Sequence, residues 1–119
     1  MGLVELKVKG KKVPRNFSVG LNKQITIKDC GTIQLERDEQ ITFVTDSGKE
    51  YDVARKDWGF YATPSINGRL KGFGFKTALV KNTKGKYYIM LVEKEKLSHF
   101  KNYLKEERQT LEYWLDETK

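Results

Sequence analysis

Over the first ninety residues, apolar side chains recur at every second position in short bursts separated by turn-forming residues. Val4, Leu6 and Val8 alternate with Glu5, Lys7 and Lys9, the period of a strand with one face on a core and the other in water. Gly10 to Asn22, with Gly10, Pro14, Asn16, Gly20 and Asn22, reads as a loop containing a short extended piece at Phe17, Val19 and Leu21. Alternation resumes at Ile25 and Ile27, breaks at Asp29-Cys30-Gly31 and returns at Ile33 and Leu35, which predicts two short strands with a turn or bulge between them.

Ile41 to Val44 and Tyr51 to Val53 form the arms of a hairpin around Asp46-Ser47-Gly48, where glycine accepts positive φ and aspartate bonds back to nearby amides. A second pair follows: Phe73 to Lys81 and Tyr87 to Val92, joined by Asn82-Thr83-Lys84-Gly85. The last of these strands is apolar on both faces, the pattern of a central or sandwiched strand. Beyond it the period changes. Leu97, Phe100, Leu104, Leu111, Trp114 and Leu115 recur at helical spacing with charged residues between them, predicting one amphipathic helix over about 94–116, with a second short helix from Thr110 after a kink as the alternative.

Strands within 3–92 and one terminal helix predict a mainly β fold: a small antiparallel β-sandwich or barrel of about seven or eight short strands, with a C-terminal amphipathic α-helix on it. At 119 residues the chain is the size of one domain, 1–119. No strand–helix alternation suggests a doubly wound sheet.

The net charge of +7 is unevenly laid out. Residues 29–57 carry four cations against eight acids, whereas from Trp58 through Met90 there is no acid, and Arg69, Lys71, Lys76, Lys81, Lys84 and Lys86 are all present. Such a run presents a positive field to a phosphate or carboxylate. Cys30 is the only cysteine, so no intrachain disulfide forms, as suits a reducing compartment. The alternating N-terminus lacks the apolar core of a signal peptide, Leu6 breaks the myristoylation pattern, and no apolar run reaches membrane-spanning length. The expectation is a cytoplasmic protein with no membrane partner, monomeric or homodimeric.

Catalytic motifs are missing. One His and one Cys cannot build a zinc site, and no His–acid cluster offers other metal ligands, so neither metal nor cofactor is expected. A Cys30–His99 dyad would need the fold to bring the two together, and a lone cysteine is ordinarily a small buried hydrophobe. Gly68, Gly72 and Gly74 match neither the dinucleotide fingerprint nor the Walker loop. Asp52 with Asp57, or Asp46 with Glu50, are the carboxylate pairs that an acid/base enzyme would use, and surface charge accounts for them equally well. No catalytic residue is assigned.

What stands out is Arg55 to Gly74, RKDWGFYATPSINGRLKGFG. Trp58, Phe60 and Tyr61 flank Gly59, whose bare backbone admits a flat ligand. Thr63-Pro64-Ser65 makes a rigid turn, and Asn67-Gly68 can form an anion nest beside the planar fork of Arg69. The competing readings are structural: one of Trp58 and Phe60 buried in the core, Asn67-Gly68 a plain turn, Arg69 paired with an acid such as Asp57. The functional expectation is a non-catalytic binding domain for an anionic or sugar-containing ligand: a sugar phosphate, nucleotide sugar or acidic polysaccharide. Tyr61 and Trp58 supply the wall, Ser65 and Asn67 hydrogen bonds, and Arg69, Lys71 and Lys76 positive charge. Three alternatives remain beside it: a single-stranded nucleic acid or RNA-binding domain, a metal-free β-barrel isomerase or hydrolase using Asp57 or Tyr61, and a protein-interaction subunit docking through the face of Trp114.

Overall fold

A computed structural model describes the backbone of residues 8–117 and, within them, side chains from Arg15 onward. The expected strand at Val4 and Leu6 lies mostly outside these residues. Among these residues the fold is mainly β, with three antiparallel sheets, together of eight strands, and a helix near the C-terminus, and the sheets do not close into a barrel.

The first sheet pairs β1 (Val8–Val19) with β2 (Ile25–Ile33), with an irregularity between Gly10 and Arg15. Sequence alone assigned Gly10 to Asn22 to a loop and split β2 in two. The Asp29-Cys30-Gly31 break is a local departure within one strand, its Gly31 facing Gly10 across the pair. The turn that does end β1 comes at Gly20, where Lys23 N–H donates to the Gly20 carbonyl. Gly20 has φ +94, and a Cβ there would come within 2.7 Å of Glu107 Oε1. That close approach lets Leu21 N–H donate to Glu107 Oε1 at 2.6 Å, fastening the β1–β2 turn to the helical region. Replacing Glu107 by alanine is expected to speed hydrogen exchange at the Leu21 amide by about tenfold, the weight of a charge-assisted bond; an unchanged rate would mean that the turn is held elsewhere.

The second sheet is ordered β3 (Gln40–Val44), β4 (Glu50–Lys56), β5 (Gly59–Ala62). Partners across an antiparallel pair share a face, so Ile41, Val53 and Ala62 lie on one side, with Phe43, Tyr51, Arg55 and Phe60. Gln40, Ala54 and Tyr61 lie on the other, with Thr42, Asp52 and Lys56.

The third sheet is ordered β7 (Tyr87–Glu93), β6 (Phe75–Lys81), β8 (Thr110–Trp114). Its inner face carries the core: Ala78, Val80 and Leu104 are buried, with Met90, Phe100, Leu111 and Trp114 packed around them. The helix supplying Leu104 and Phe100 is α2, Leu97–Glu106. A single turn of helix, α1 (Arg69–Gly72), buries Leu70. Apolar residues on both faces predict that β7 is central or sandwiched. Among the described residues it is an edge strand instead, with Tyr87, Tyr88 and Ile89 exposed.

The helix expected over about 94–116 is shorter. Lys94–Lys96 form a 3-10 turn, α2 ends at Glu106, and Thr110–Trp114 is a strand. The stop has a physical cause. Arg108 takes φ +52, Arg108 N–H reaches the Lys105 carbonyl, and Gln109 N–H returns to the Leu104 carbonyl at 2.8 Å, a left-handed cap that turns the chain out of the helix. Threonine, tyrosine and tryptophan in TLEYW then suit pairing with β6 better than another helical turn.

Candidate functional site

Asp57 and Trp58 are the two-residue turn between Lys56 and Gly59, which face each other across β4 and β5. Gly59 has φ +141, a conformation that side-chain-bearing residues rarely adopt. Because Trp58 lies in the turn and not in an extended run, it does not share the face of Phe60. Its ring meets that of Tyr61, with centroids 6.0 Å apart and planes tilted by 36°. Trp58 is 71% exposed and Tyr61 45%. Phe60, on the opposite face, is 65% exposed, so the expectation that one of Trp58 and Phe60 is buried fails: the core lies in the third sheet, and neither ring reaches it.

Beside the two rings, Lys56 Nζ pairs with Asp38. The hydrogen bond from Lys56, and then its charge, hold the Asp38 carboxyl below its ordinary range, and the same contact raises the Lys56 ammonium. Asp38 is placed there by backbone pairing that continues past β3: its N–H donates to the Arg55 carbonyl at 2.8 Å, and Arg55 N–H to the Glu39 carbonyl at 3.0 Å.

The same face continues along the strands. Gln40 lies across Ala54 from Tyr61, and its Oε1 accepts from Thr63 Oγ1 at 2.8 Å. Thr63 in turn accepts from Arg69 Nη2 at 3.4 Å. Arg69 Nη1 lies 3.5 Å from Asp52 Oδ2, and Asp52 is buried and takes a 2.6 Å bond from Thr42 Oγ1. Gly59 to Thr63 spans on the order of 13 Å at the rise of a strand. The result is a strip with two rings at one end, a guanidinium at the other, and an amide and a hydroxyl between.

The remaining expected site residues divide. Ser65 accepts from Arg69 N–H through its Oγ at 3.2 Å and from Leu70 N–H through its carbonyl at 3.0 Å, so it shapes the turn that presents Arg69. Asn67 is exposed in that turn. Lys71 and Lys76 lead elsewhere. Lys71 Nζ reaches the Asp116 carbonyl at 3.4 Å, and Lys76 Nζ lies 3.1 Å from Asp116 Oδ2, 2.6 Å from Glu117 Oε2 and 4.6 Å from the centre of the Trp114 ring. Glu117, then Asp116, raise the Lys76 ammonium above its ordinary range.

Asp38, Gln40, Asp52, Lys56 and Thr63 were not among the expected site residues. Alternation across the DSG hairpin does place Gln40 and Asp52 on one face; nothing in the sequence places Asp38 beside Lys56. Arg69 pairs with Asp52 and not Asp57, which bonds to Arg37 at 3.1 Å. Cys30 is exposed on β2 and bonds to the Lys28 carbonyl; no hydrogen bond joins it to His99 on α2. Among the described residues, no group of His, Cys, Asp and Glu is arranged to hold a metal ion, and no helix is long and apolar enough to cross a membrane. Comparison of the chain with protein-family models, with curated proteins and with solved structures finds no match.

Proposed function

We propose that the chain is a non-catalytic binding domain for a sugar-containing ligand, received on the strip from Trp58 to Arg69. The observation that carries the reading is the Trp58–Tyr61 pair: two rings in contact with each other, both exposed, on a turn that contributes nothing to the core. Exposed aromatic surface of this kind suits the apolar face of a sugar ring, with polar groups at the edge to take its hydroxyls. The Lys56–Asp38 pair offers a donor and an acceptor beside the rings, and Gln40 and Thr63 continue the set.

Charge narrows the class. Of the cations in the acid-free run, Lys76 is met by Asp116 and Glu117, and Arg69 is balanced by Asp52. The strip is therefore near neutral, and suits a saccharide more than a bare phosphate. The Arg69 side chain is still 49% exposed, leaving guanidinium donors for a single carboxylate or phosphate on the sugar.

The test is an amide NMR titration of the labelled protein with neutral and acidic oligosaccharides, sugar phosphates and nucleotide sugars. Saturable shifts at Gln40, Trp58, Tyr61, Thr63 and Arg69 with one compact class are the expected result. Shifts confined to other surfaces, or none with any of the panel, would sink the assignment.

A further inference from the structure

The acid-free run ends in a second place with a different character. Lys81, Lys84 and Lys86 have no carboxylate partner among the described residues. The β6–β7 turn that carries them is built by Asn82, whose Oδ1 accepts from both Lys84 N–H and Lys86 N–H at 2.9 Å. Beside it lies the β1–β2 turn, and between the two runs a groove lined by Lys23, Asn82, Lys84, Tyr88, Glu107 and Gln109, among others.

Three features set this groove apart from an ordinary solvated surface. Its one carboxylate, Glu107, accepts from Leu21 N–H and forms no ion pair with a lysine among the described residues, so the cations around the groove outnumber its acid. Lys23, in the β1–β2 turn that lines it, has φ +52, a costly backbone for a residue with a side chain. Gln109 keeps its amide oxygen out of water with no hydrogen-bond partner, which is uncommon in a folded protein.

We infer that this groove receives a segment of single-stranded nucleic acid. Tyr88, 46% exposed, offers a ring for a base, and Lys23, Lys84 and Lys86 lie where a sugar–phosphate backbone would pass. On the far side of the same strand, Lys81 stands 5.7 Å over the Tyr87 ring, extending the cationic and aromatic surface around the edge. An acidic peptide would find the charge but would leave the exposed Tyr88 ring unused. This site is separate from the Trp58–Arg69 strip and does not depend on it.

The test uses the full chain and a fluorescein-labelled, mixed-sequence oligonucleotide of about 12 nucleotides, a length within the usual site sizes. Anisotropy is read at about 50 and about 200 mM salt. Neutralising three phosphates of a single strand predicts a fall in affinity of about twentyfold between the two. Lys84→Glu and Tyr88→Ala are each expected to weaken binding by about tenfold, with Tyr88→Phe close to the parent because the ring is kept. Trp58→Ala should leave oligonucleotide affinity unchanged. Circular dichroism of each variant separates loss of binding from loss of fold. No anisotropy change at low salt overturns the inference. So does binding indifferent to both Lys84→Glu and Tyr88→Ala, or binding lost equally on Trp58→Ala.

Discussion

Asp116→Ala is expected to destabilise the protein by about 2–4 kcal/mol, a fall in Tm of the order of 10 °C. Asp116 is 2% exposed. Its Oδ1 accepts from Thr77 N–H at 2.9 Å, and its Oδ2 faces Lys76 Nζ at 3.1 Å. Thr77 is itself buried, with an Oγ1 that has no partner, so deleting the carboxylate leaves a second polar group stranded on a residue that already has one. Lys76 keeps Glu117, which holds the cost below that of an isolated buried charge. Asp116→Asn keeps an acceptor for Thr77 and loses only the charge, and is expected to cost less than alanine. Urea denaturation measures both; an alanine variant within about 0.5 kcal/mol of the parent, the range of an ordinary surface change, would contradict this view of the sheet's end.

The same carboxylate gives the stability a pH dependence of definite sign. Burial works to raise the Asp116 pKa, but the Thr77 N–H and the Lys76 ammonium outweigh it, and the folded value lies below the ordinary one. A depressed folded pKa means that the unfolded chain binds the proton first. The stabilisation is therefore complete above the ordinary carboxylate value of about 4 and is lost as the pH falls through the folded value. The stability difference between the parent and Asp116→Ala should accordingly shrink below about pH 4. A difference that stays constant down to acid unfolding would mean that the Asp116 pKa is the same in the folded and unfolded chain, contradicting its ion pair with Lys76.

Trp58→Ala is expected to weaken the saccharide ligand by at least about thirtyfold, the loss of an aromatic anchor worth about 2 kcal/mol, while leaving the fold intact. The second half follows from exposure: a side chain 71% in solvent, on a turn, holds little of the core. Tyr61→Ala should act in the same direction and Tyr61→Phe much less, because the ring provides the stacking face. Calorimetric titration with the best ligand of the panel measures all three. An unchanged affinity in Trp58→Ala would remove the rings from the site altogether.

Much of the β framework was legible because it obeys local rules. Asp46-Ser47-Gly48 turns as its composition demands, with Gly48 at φ +85, and Asn82 to Gly85 turns likewise, with Gly85 at φ +77. The misreadings share one cause: long-range pairing that no local period records. TLEYW joined the helix because Leu111, Trp114 and Leu115 fall at helical spacing; its partner, β6, is some thirty residues away in sequence. Gly10 to Asn22 reads as loop with only a short extended piece at Phe17, Val19 and Leu21, yet β2 draws Arg15 to Val19 into a ladder that continues the strand past Pro14. β7 looked central because both faces are apolar, and the sheet nonetheless ends there.

Less of the candidate site is legible. An extended run from Asp57 to Thr63 would put Trp58 with Phe60 and Tyr61 on the other face; the Asp57-Trp58 turn instead brings the Trp58 and Tyr61 rings together, with Gln40, Thr63 and Arg69 linked by hydrogen bonds beyond them. The acid-free run from Trp58 through Met90 suggests a continuous positive surface, but acids from outside it meet two of its cations: Asp52 from β4 pairs with Arg69, and Asp116 and Glu117 from beyond β8 pair with Lys76. Among the described residues Lys71, Lys81, Lys84 and Lys86 have no carboxylate partner. A run of charge in sequence becomes a field only where the fold brings no counter-charge to it.

The central claim, that the exposed rings of the β4–β5 turn receive a sugar-containing ligand, is tested most directly by following the two indole N–H signals while the saccharide panel is titrated. Trp58 is exposed, and Trp114 packs against Phe100 at 5.8 Å under the Lys76 ammonium. The expected result is a saturable shift of the Trp58 signal with one ligand class and a stationary Trp114 signal. A stationary Trp58 signal throughout the panel, or movement of Trp114 alone, would contradict it.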